Sequence, residues 1–131
     1  MKNFILVGIG SFLGGGLRYL VSQAMANAFP SAFPWGTMTV NVGGCLLIGF
    51  LAALPWGGGE MSSSAKMLLT TGLCGGFTTF STFMNESNSL MKDGQYGTLC
   101  LYVAGSVALG MVAVALGHHL AGVAISLVKQ E

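Results

Sequence analysis

Charged side chains are scarce in this chain. Five Lys and Arg and four Asp and Glu make 7% of its 131 residues charged, whereas about a quarter is usual in soluble domains. This composition excludes an ordinary soluble globular protein. Five scattered basic residues also form no stripe that would follow a phosphate backbone, so we exclude nucleic acid as a partner.

Catalytic patterns are lacking as well. The chain contains no Ser/His/Asp set, no H-E-x-x-H motif and no carboxylate pair at the centre of an apolar segment. Its cysteines, Cys45, Cys74 and Cys100, form no C-x-x-C pair, so we interpret them as packing residues. His118 and His119 project about 100 degrees apart on a helix, and we assign them no role. We therefore expect no enzyme.

Apolar residues make up most of what is present. The chain is 53% hydrophobic and has a mean hydropathy of +0.73, which indicates an integral membrane protein. A span needs about 20 apolar residues. We therefore predict an all-α membrane protein with one domain over residues 1–131 and four transmembrane helices, at about 4–21, 37–54, 65–91 and 96–128.

The third predicted span contains an unusual stretch. Residues 72–83 read Gly-Leu-Cys-Gly-Gly-Phe-Thr-Thr-Phe-Ser-Thr-Phe. Glycine weakens a helix, and β-branched threonine does not restore it. Inside a bilayer, non-helical backbone is tolerated only where it is buried in protein or lines a watery cavity. We predict that the third helix is broken at its centre and that this stretch is the functional site.

The stretch supplies groups that suit a small ion. Broken helix turns leave carbonyls free for a cation and N–H groups free for an anion. Hydroxyls that donate or accept hydrogen bonds belong to Thr78, Thr79, Ser81 and Thr82. Phe77, Phe80 and Phe83 recur at every third position and either form a packing ridge or turn electropositive ring edges toward an anion. The residues predict a small-ion pathway of undetermined sign, formed where subunits meet.

Polar residues in the other spans allow more than one interpretation. Arg18 can snorkel to the membrane interface, and Asn41 either hydrogen-bonds a neighbouring helix or meets a ligand. Glu86 belongs to a solvated helix end or lines an aqueous vestibule. Tyr102 and Ser106 share one face of the fourth helix. The five basic residues give little preference for one orientation in the membrane. The sequence therefore permits insertion in both orientations.

Three stretches of the chain resemble the Fluc/CrcB family of fluoride channels. Residues 72–83 match its third-helix signature. Residues 36–41, with Gly44 and Gly49, resemble its second-helix motif. The first-helix motif is matched by Gly10, Gly14, Arg18 and Tyr19. The resemblance covers nearly the whole chain, in order.

The resemblance implies a passive fluoride exporter of the cytoplasmic (inner) membrane. It implies an antiparallel, dual-topology homodimer embedded in membrane lipid, with two pores and a central sodium ion as cofactor. By position, it assigns to the fluoride pore Asn41, Phe80, Phe83, Ser81, Thr82, Tyr102 and Ser106. Arg18 and Glu86 match vestibule positions at the two ends of the path. Gly75 and Thr78 match the break whose backbone carbonyls hold the sodium ion.

The chain departs from the family pattern at a few positions. Ser11, Gly15 and Leu46 affect packing, whereas Gly110, one helical step after Ser106, supplies no hydroxyl. We therefore end the predicted polar track at Ser106. A dual-topology small multidrug-type, proton-coupled transporter is the alternative function, although the first span lacks the acidic residue that such exchange needs. A packing subunit without transport is a third possibility.

Overall fold

The structure is a computed structural model that describes residues 1–57 and 60–129, and these residues form helices and no strand. Residues 58–59 and 130–131, which the predicted domain includes, lie outside the described residues. The first two helices are α1 (Lys2–Ala28) and α2 (Trp35–Ala53). A segmented helix follows, made of α3 (Glu60–Met67), π-helical turns (Leu68–Cys74), α4 (Gly75–Phe77) and α5 (Phe80–Lys92). The last helix is α6 (Tyr96–Val128).

Three helices, α1, α2 and α6, are long and apolar enough to cross a membrane. The chain is therefore an all-α, multi-pass membrane protein. α1 extends beyond the predicted 4–21 to Ala28, α2 begins before the predicted 37, and α6 has the predicted bounds. The predicted third span, 65–91, is not one helix, and no single piece of it has the length of about 20 residues that a crossing needs.

Short turns connect these helices. The segment between α5 and α6 forms a Schellman motif, in which the Gly94 N–H donates to the Met91 carbonyl at 3.1 Å and the Gln95 N–H donates to the Leu90 carbonyl at 2.9 Å. Gly94 has a φ of +70°, a left-handed conformation that glycine adopts without steric cost. The motif ends α5 sharply and lets α6 start at Tyr96 beside it.

Glycines allow the segmented helix to lie directly against α1. A Cβ atom added to Gly72 would lie 2.9 Å from the Cα of Gly10, and one added to Gly76 would lie 2.7 Å from the Cα of Ser11. Real Cβ atoms do not approach backbone so closely. The G-x-x-x-G pair Gly10 and Gly14 thus has a packing role, because both glycines are buried in this contact.

Glycines also join α2 to α6. A Cβ atom at Gly49 would lie 2.9 Å from the Cα of Val114, and one at Gly117 would lie 2.7 Å from the backbone nitrogen of Phe50. These two close contacts place α2 between α6 on one side and α1 with the segmented helix on the other. α2 therefore reaches both the break and the polar face of α6.

Candidate functional site

The break in the third helix lies at Thr78 and Thr79. Thr78 has φ and ψ of −88° and 159°, and Thr79 has −151° and 114°, so both are extended. Gly75, in contrast, has helical angles of −63° and −37°. The Thr79 hydroxyl caps α5 by accepting a hydrogen bond from the Thr82 N–H at 3.3 Å. The two threonines, rather than the preceding glycine, therefore carry the change of backbone direction.

Asn41 of α2 holds the break from outside the segmented helix. The Thr79 N–H donates to Asn41 Oδ1 at 2.8 Å, and Asn41 Nδ2 donates to the Thr79 carbonyl at 3.1 Å. Next to it on the same helix face, Gly44 leaves room for the Thr78 side chain, whose Cγ2 occupies the place of a Cβ atom. Asn41 thus hydrogen-bonds a neighbouring segment, one of its two predicted roles, while its contact with an ion stays a prediction.

The break removes helical donors from the carbonyls at its edges, including those of Gly75 and Thr78. In a continuous helix the Thr79 N–H would donate to the Gly75 carbonyl and the Thr82 N–H to the Thr78 carbonyl. Both N–H groups donate elsewhere, to Asn41 Oδ1 and to the Thr79 hydroxyl. The Thr78 side chain turns back and donates to the Cys74 carbonyl at 3.0 Å. The two carbonyls matched to a sodium site are therefore among those that lose their helical donors.

Glu86 forms the centre of a hydrogen-bond network between three helices. Thr37 Oγ1 donates to Glu86 Oε1 at 2.8 Å, and the Tyr102 hydroxyl donates to Glu86 Oε2 at 2.7 Å. Tyr102 is 0% exposed and Thr37 is 5% exposed. Glu86 also lines a cavity of about 360 Å³ together with Ser22, Gln23 and Trp35. The carboxylate is therefore anchored by both oxygens while it faces open space.

The phenylalanines of the stretch separate at the break. Phe77 precedes it and packs toward Gly43 and Gly44 of α2. Phe83 is buried against Tyr102, with ring centroids 4.9 Å apart. The Phe80 ring lies 6.0 Å from Phe83, yet Phe80 is 73% exposed. The pair of rings therefore runs from the interior of the chain to its surface.

Ser106 lies one helical turn after Tyr102 on α6. Its hydroxyl oxygen is buried and has no hydrogen-bond partner among residues 1–57 and 60–129. The residue lines an open cavity of about 400 Å³ with Cys45 and Gly110. Buried hydroxyls are normally hydrogen-bonded, and each exception needs an explanation.

The remaining predicted site residues lie at the margins of these groups. Ser81 is exposed, with its hydroxyl 3.4 Å from that of Thr79, and Thr82 accepts from the Thr79 hydroxyl at 3.0 Å. Arg18 is half-buried and forms no ion pair with the described part of the chain. Tyr19, its neighbour, lines the cavity that contains Glu86. The assignment of Arg18 and Glu86 to vestibules at the two ends of the path stays a prediction.

The sequence assigned no role to Thr37 and gave the Thr79 hydroxyl only a general hydrogen-bonding role. Thr37 donates to Glu86, and the Thr79 hydroxyl caps α5. Thr37 precedes Asn41 by four residues and therefore lies on the same face of α2. That spacing is the sequence signal from which a role for Thr37 could have been predicted. No local signal shows that Thr79, rather than Thr78, caps the helix.

Comparisons with known proteins identify the family of this chain. A family model described as CrcB-like protein, Camphor Resistance (CrcB), matches residues 5–118. A protein named Fluoride-specific ion channel FluC from Chlorobaculum tepidum is 48% identical over 121 residues, covering 92% of this chain and 95% of that relative. The protein of that name from Phocaeicola vulgatus is 44% identical over 117 residues, covering 89% and 96%.

A third relative with the same name, from Prosthecochloris aestuarii, is 46% identical over 119 residues, covering 91% of this chain and 92% of that protein. The similarity extends over α1, α2, the segmented helix and most of α6, so the elements that build the site all fall within it. The chain belongs to the CrcB-like family.

Proposed function

We propose that this chain is a fluoride-selective ion channel that exports fluoride passively across the cytoplasmic membrane. Its relatives carry the name Fluoride-specific ion channel FluC. The observation in the structure that carries the proposal is the buried Ser106 hydroxyl without a partner. A hydroxyl left unsatisfied in an apolar helix costs free energy, and an anion that accepts its hydrogen bond offsets that cost during passage.

The groups around Ser106 suit an anion that must lose water. Fluoride is small and strongly hydrated, so a pore has to replace its water hydrogen bonds while still letting it leave. The Ser106 hydroxyl supplies a donor that no described residue uses. Tyr102, one turn earlier on α6, gives its single hydroxyl proton to Glu86 Oε2 and belongs to the proposed lining by its ring. The rings of Phe80 and Phe83 supply electropositive edges. Asn41, Ser81 and Thr82 add donors near the break. These seven residues form the proposed pore lining.

A proton-coupled transporter is not retained as the alternative. The relatives in this family are named as fluoride-specific ion channels. α1 also contains no acidic residue, whereas proton coupling needs an ionisable group inside the membrane. Passive movement through hydrogen-bond donors requires no such group, and it requires no enzymatic residue.

The exposure of Phe80 supports a homodimer. A ring that is 73% exposed in one chain has room for a second subunit to cover it. Gly75 also lies in open space, where an added Cβ would meet nothing within 4 Å. We propose that two chains pack in opposite orientations in the lipid bilayer and form two pores, each including Phe80. The slight charge bias of the loops is compatible with such dual topology.

The residues at the break fit a sodium ion. The carbonyls of Gly75 and Thr78 lose their helical donors there, and unwound carbonyls are the ligands with which membrane helices hold sodium. The two carbonyls from each subunit would bind the ion at the centre of the dimer. A bound sodium ion would supply a fixed positive charge near both pores. Asn41 and Thr79 keep the carbonyls free of competing N–H groups.

Arg18 and Glu86 are proposed as vestibule residues. Arg18 has no ion pair within the described residues, so its charge is available to attract anions from water. Glu86 is neutralised in part by donation from Thr37 and Tyr102. A carboxylate held in this way repels fluoride less than a free one, because its negative charge is spread over two strong hydrogen bonds.

Ion efflux from liposomes tests the proposed function. Purified protein is reconstituted into vesicles loaded with fluoride or chloride, the membrane potential is clamped, and release is measured with ion-selective electrodes. We expect rapid fluoride release without chloride release. Ser106→Ala should slow fluoride release, whereas Ser126→Ala, at an exposed serine near the end of the same helix, should not. No release from folded wild-type protein would reject the channel function.

A further inference from the structure

We propose that Asn41 is a positioning residue for the sodium site, acting through the Thr79 peptide rather than by touching the cation. The inference rests on the proposed sodium site and adds a residue on another helix to it. It starts from the observation that one side-chain amide bonds to both polar groups of a single residue. The Thr79 N–H donates to Asn41 Oδ1 at 2.8 Å, and Asn41 Nδ2 donates to the Thr79 carbonyl at 3.1 Å.

Of these two bonds, the one to Oδ1 carries the argument. The Thr79 N–H is the group that would close a helical turn onto the Gly75 carbonyl. While it donates to Asn41, it cannot occupy that carbonyl. The acceptor atom of Asn41 therefore keeps one of the two proposed sodium ligands free. The second ligand, the Thr78 carbonyl, is kept free within the segmented helix itself, because the Thr79 hydroxyl captures the Thr82 N–H at 3.3 Å.

The surroundings of Asn41 make this pairing specific. Gly44, on the same face of α2, leaves the space that the Thr78 side chain fills. α2 is held in turn against α6 by the close contact of Gly49 with Val114. The amide is therefore presented by a helix that is packed on both sides, and a partly buried backbone N–H facing it has this acceptor as its partner.

Two substitutions separate the acceptor of Asn41 from its donor. Asn41→Asp keeps an oxygen acceptor for the Thr79 N–H and loses the Nδ2 donor. Asn41→Leu has a similar volume and loses both. If the acceptor releases the Gly75 carbonyl, sodium binding should survive in Asn41→Asp and be weakened in Asn41→Leu. A role confined to helix packing would instead lower the stability of both variants without changing their response to sodium.

The readout is the dependence of thermal unfolding on sodium. Wild type and both variants, as full chains in detergent, are unfolded at increasing NaCl with N-methylglucamine chloride keeping the ionic strength constant. A ligand that binds only the folded protein raises its melting temperature with concentration. We expect Asn41→Leu to need at least about tenfold more sodium than wild type for the same increase, the equivalent of losing one hydrogen bond.

Each outcome decides the inference. An equal sodium response in Asn41→Leu and wild type overturns it. A lost sodium response in Asn41→Asp also overturns it, and this second result is decisive even if the Asn41→Leu protein does not fold. Fluoride efflux of the wild type is measured in parallel. A wild type that conducts fluoride but melts independently of sodium overturns the sodium site and this inference while leaving the channel function intact.

Discussion

Two hydroxyls on α6, one helical turn apart, differ in whether they have a hydrogen-bond partner. The Tyr102 hydroxyl lies in a fully buried side chain and donates to Glu86 at 2.7 Å, beside the parallel bond from Thr37. The Ser106 hydroxyl is also buried but has no partner within the described chain. The first belongs to a satisfied network that joins three helices. The second is a donor without an acceptor, as a passing anion requires.

The difference shows that burial alone does not identify a pore residue. A buried, satisfied hydroxyl stabilises the fold by about 1 kcal/mol or more, whereas a buried, unsatisfied one costs a comparable amount. Substitutions around Tyr102 should therefore lower the free energy of unfolding, whereas removal of the Ser106 hydroxyl should slow fluoride efflux without lowering it. Four substitutions, in order of decreasing expected effect on stability, test this comparison.

Phe83→Ala should destabilise the packed region around Tyr102 and Glu86 more than the other three substitutions do. Phe83 is 7% exposed and packs on the Tyr102 ring, so its removal leaves a cavity beside the network. We expect the free energy of unfolding to fall by about 3 to 5 kcal/mol. Chemical unfolding in detergent micelles measures the change. A loss below about 1 kcal/mol would show that Phe83 is not part of a packed core.

Tyr102→Phe deletes one hydroxyl and keeps the ring. Glu86 Oε2 then loses its donor at 2.7 Å, and a hydrogen bond to a charged group contributes about 1.5 to 3 kcal/mol. We expect a destabilisation in that range together with slower fluoride efflux. Normal stability with slow efflux would mean that the Tyr102 hydroxyl serves conduction alone, and the contrast with Ser106 would disappear.

Thr37→Val removes the second donor to Glu86 from the opposite helix. The substitution preserves the side-chain shape and leaves Oε1 without its bond at 2.8 Å. Because the Tyr102 bond remains, we expect a smaller loss, about 1 to 2 kcal/mol, in the same unfolding assay. In combination with Tyr102→Phe, the two losses should not add, since both act on one carboxylate. Strict additivity would contradict the proposed network.

Ser106→Ala should have the smallest effect on stability, and of opposite sign. Removing an unsatisfied buried hydroxyl should raise the free energy of unfolding by about 1 kcal/mol, while fluoride efflux slows. Tyr102→Phe is the matched control, because each substitution deletes a single hydroxyl from the same helix face. A destabilised Ser106→Ala protein would reveal a structural partner for the hydroxyl and remove the main support for the pore assignment.

Much of the architecture follows from local sequence. The apolar runs predicted helices at the places where α1, α2 and α6 lie, and the resemblance pointed to the family that the comparisons show. Helix limits were less accurate: α1 continues to Ala28 because the residues after 21 still favour helix although they are more polar. Hydropathy follows the membrane, whereas helical backbone continues beyond it.

The site was less accessible from the sequence. The phenylalanine spacing suggested one packing ridge or one row of ring edges, but the break lies between Phe77 and Phe80, and Phe80 pairs with Phe83. Glu86 was considered a solvated helix end or a vestibule residue, and it is bonded at both oxygens while it lines a cavity. Such partners come from distant helices, and spacing along one helix does not indicate them.

The sequence by itself determined that this chain spans a membrane and that its third helix is weak, because hydropathy and the low helix propensity of glycine and threonine are properties of the residues. Only the tertiary structure decided where that helix breaks. Asn41, 38 residues away, captures both polar groups of Thr79. A weakened backbone breaks where its released N–H and carbonyl groups find other partners, because inside a bilayer no water replaces them.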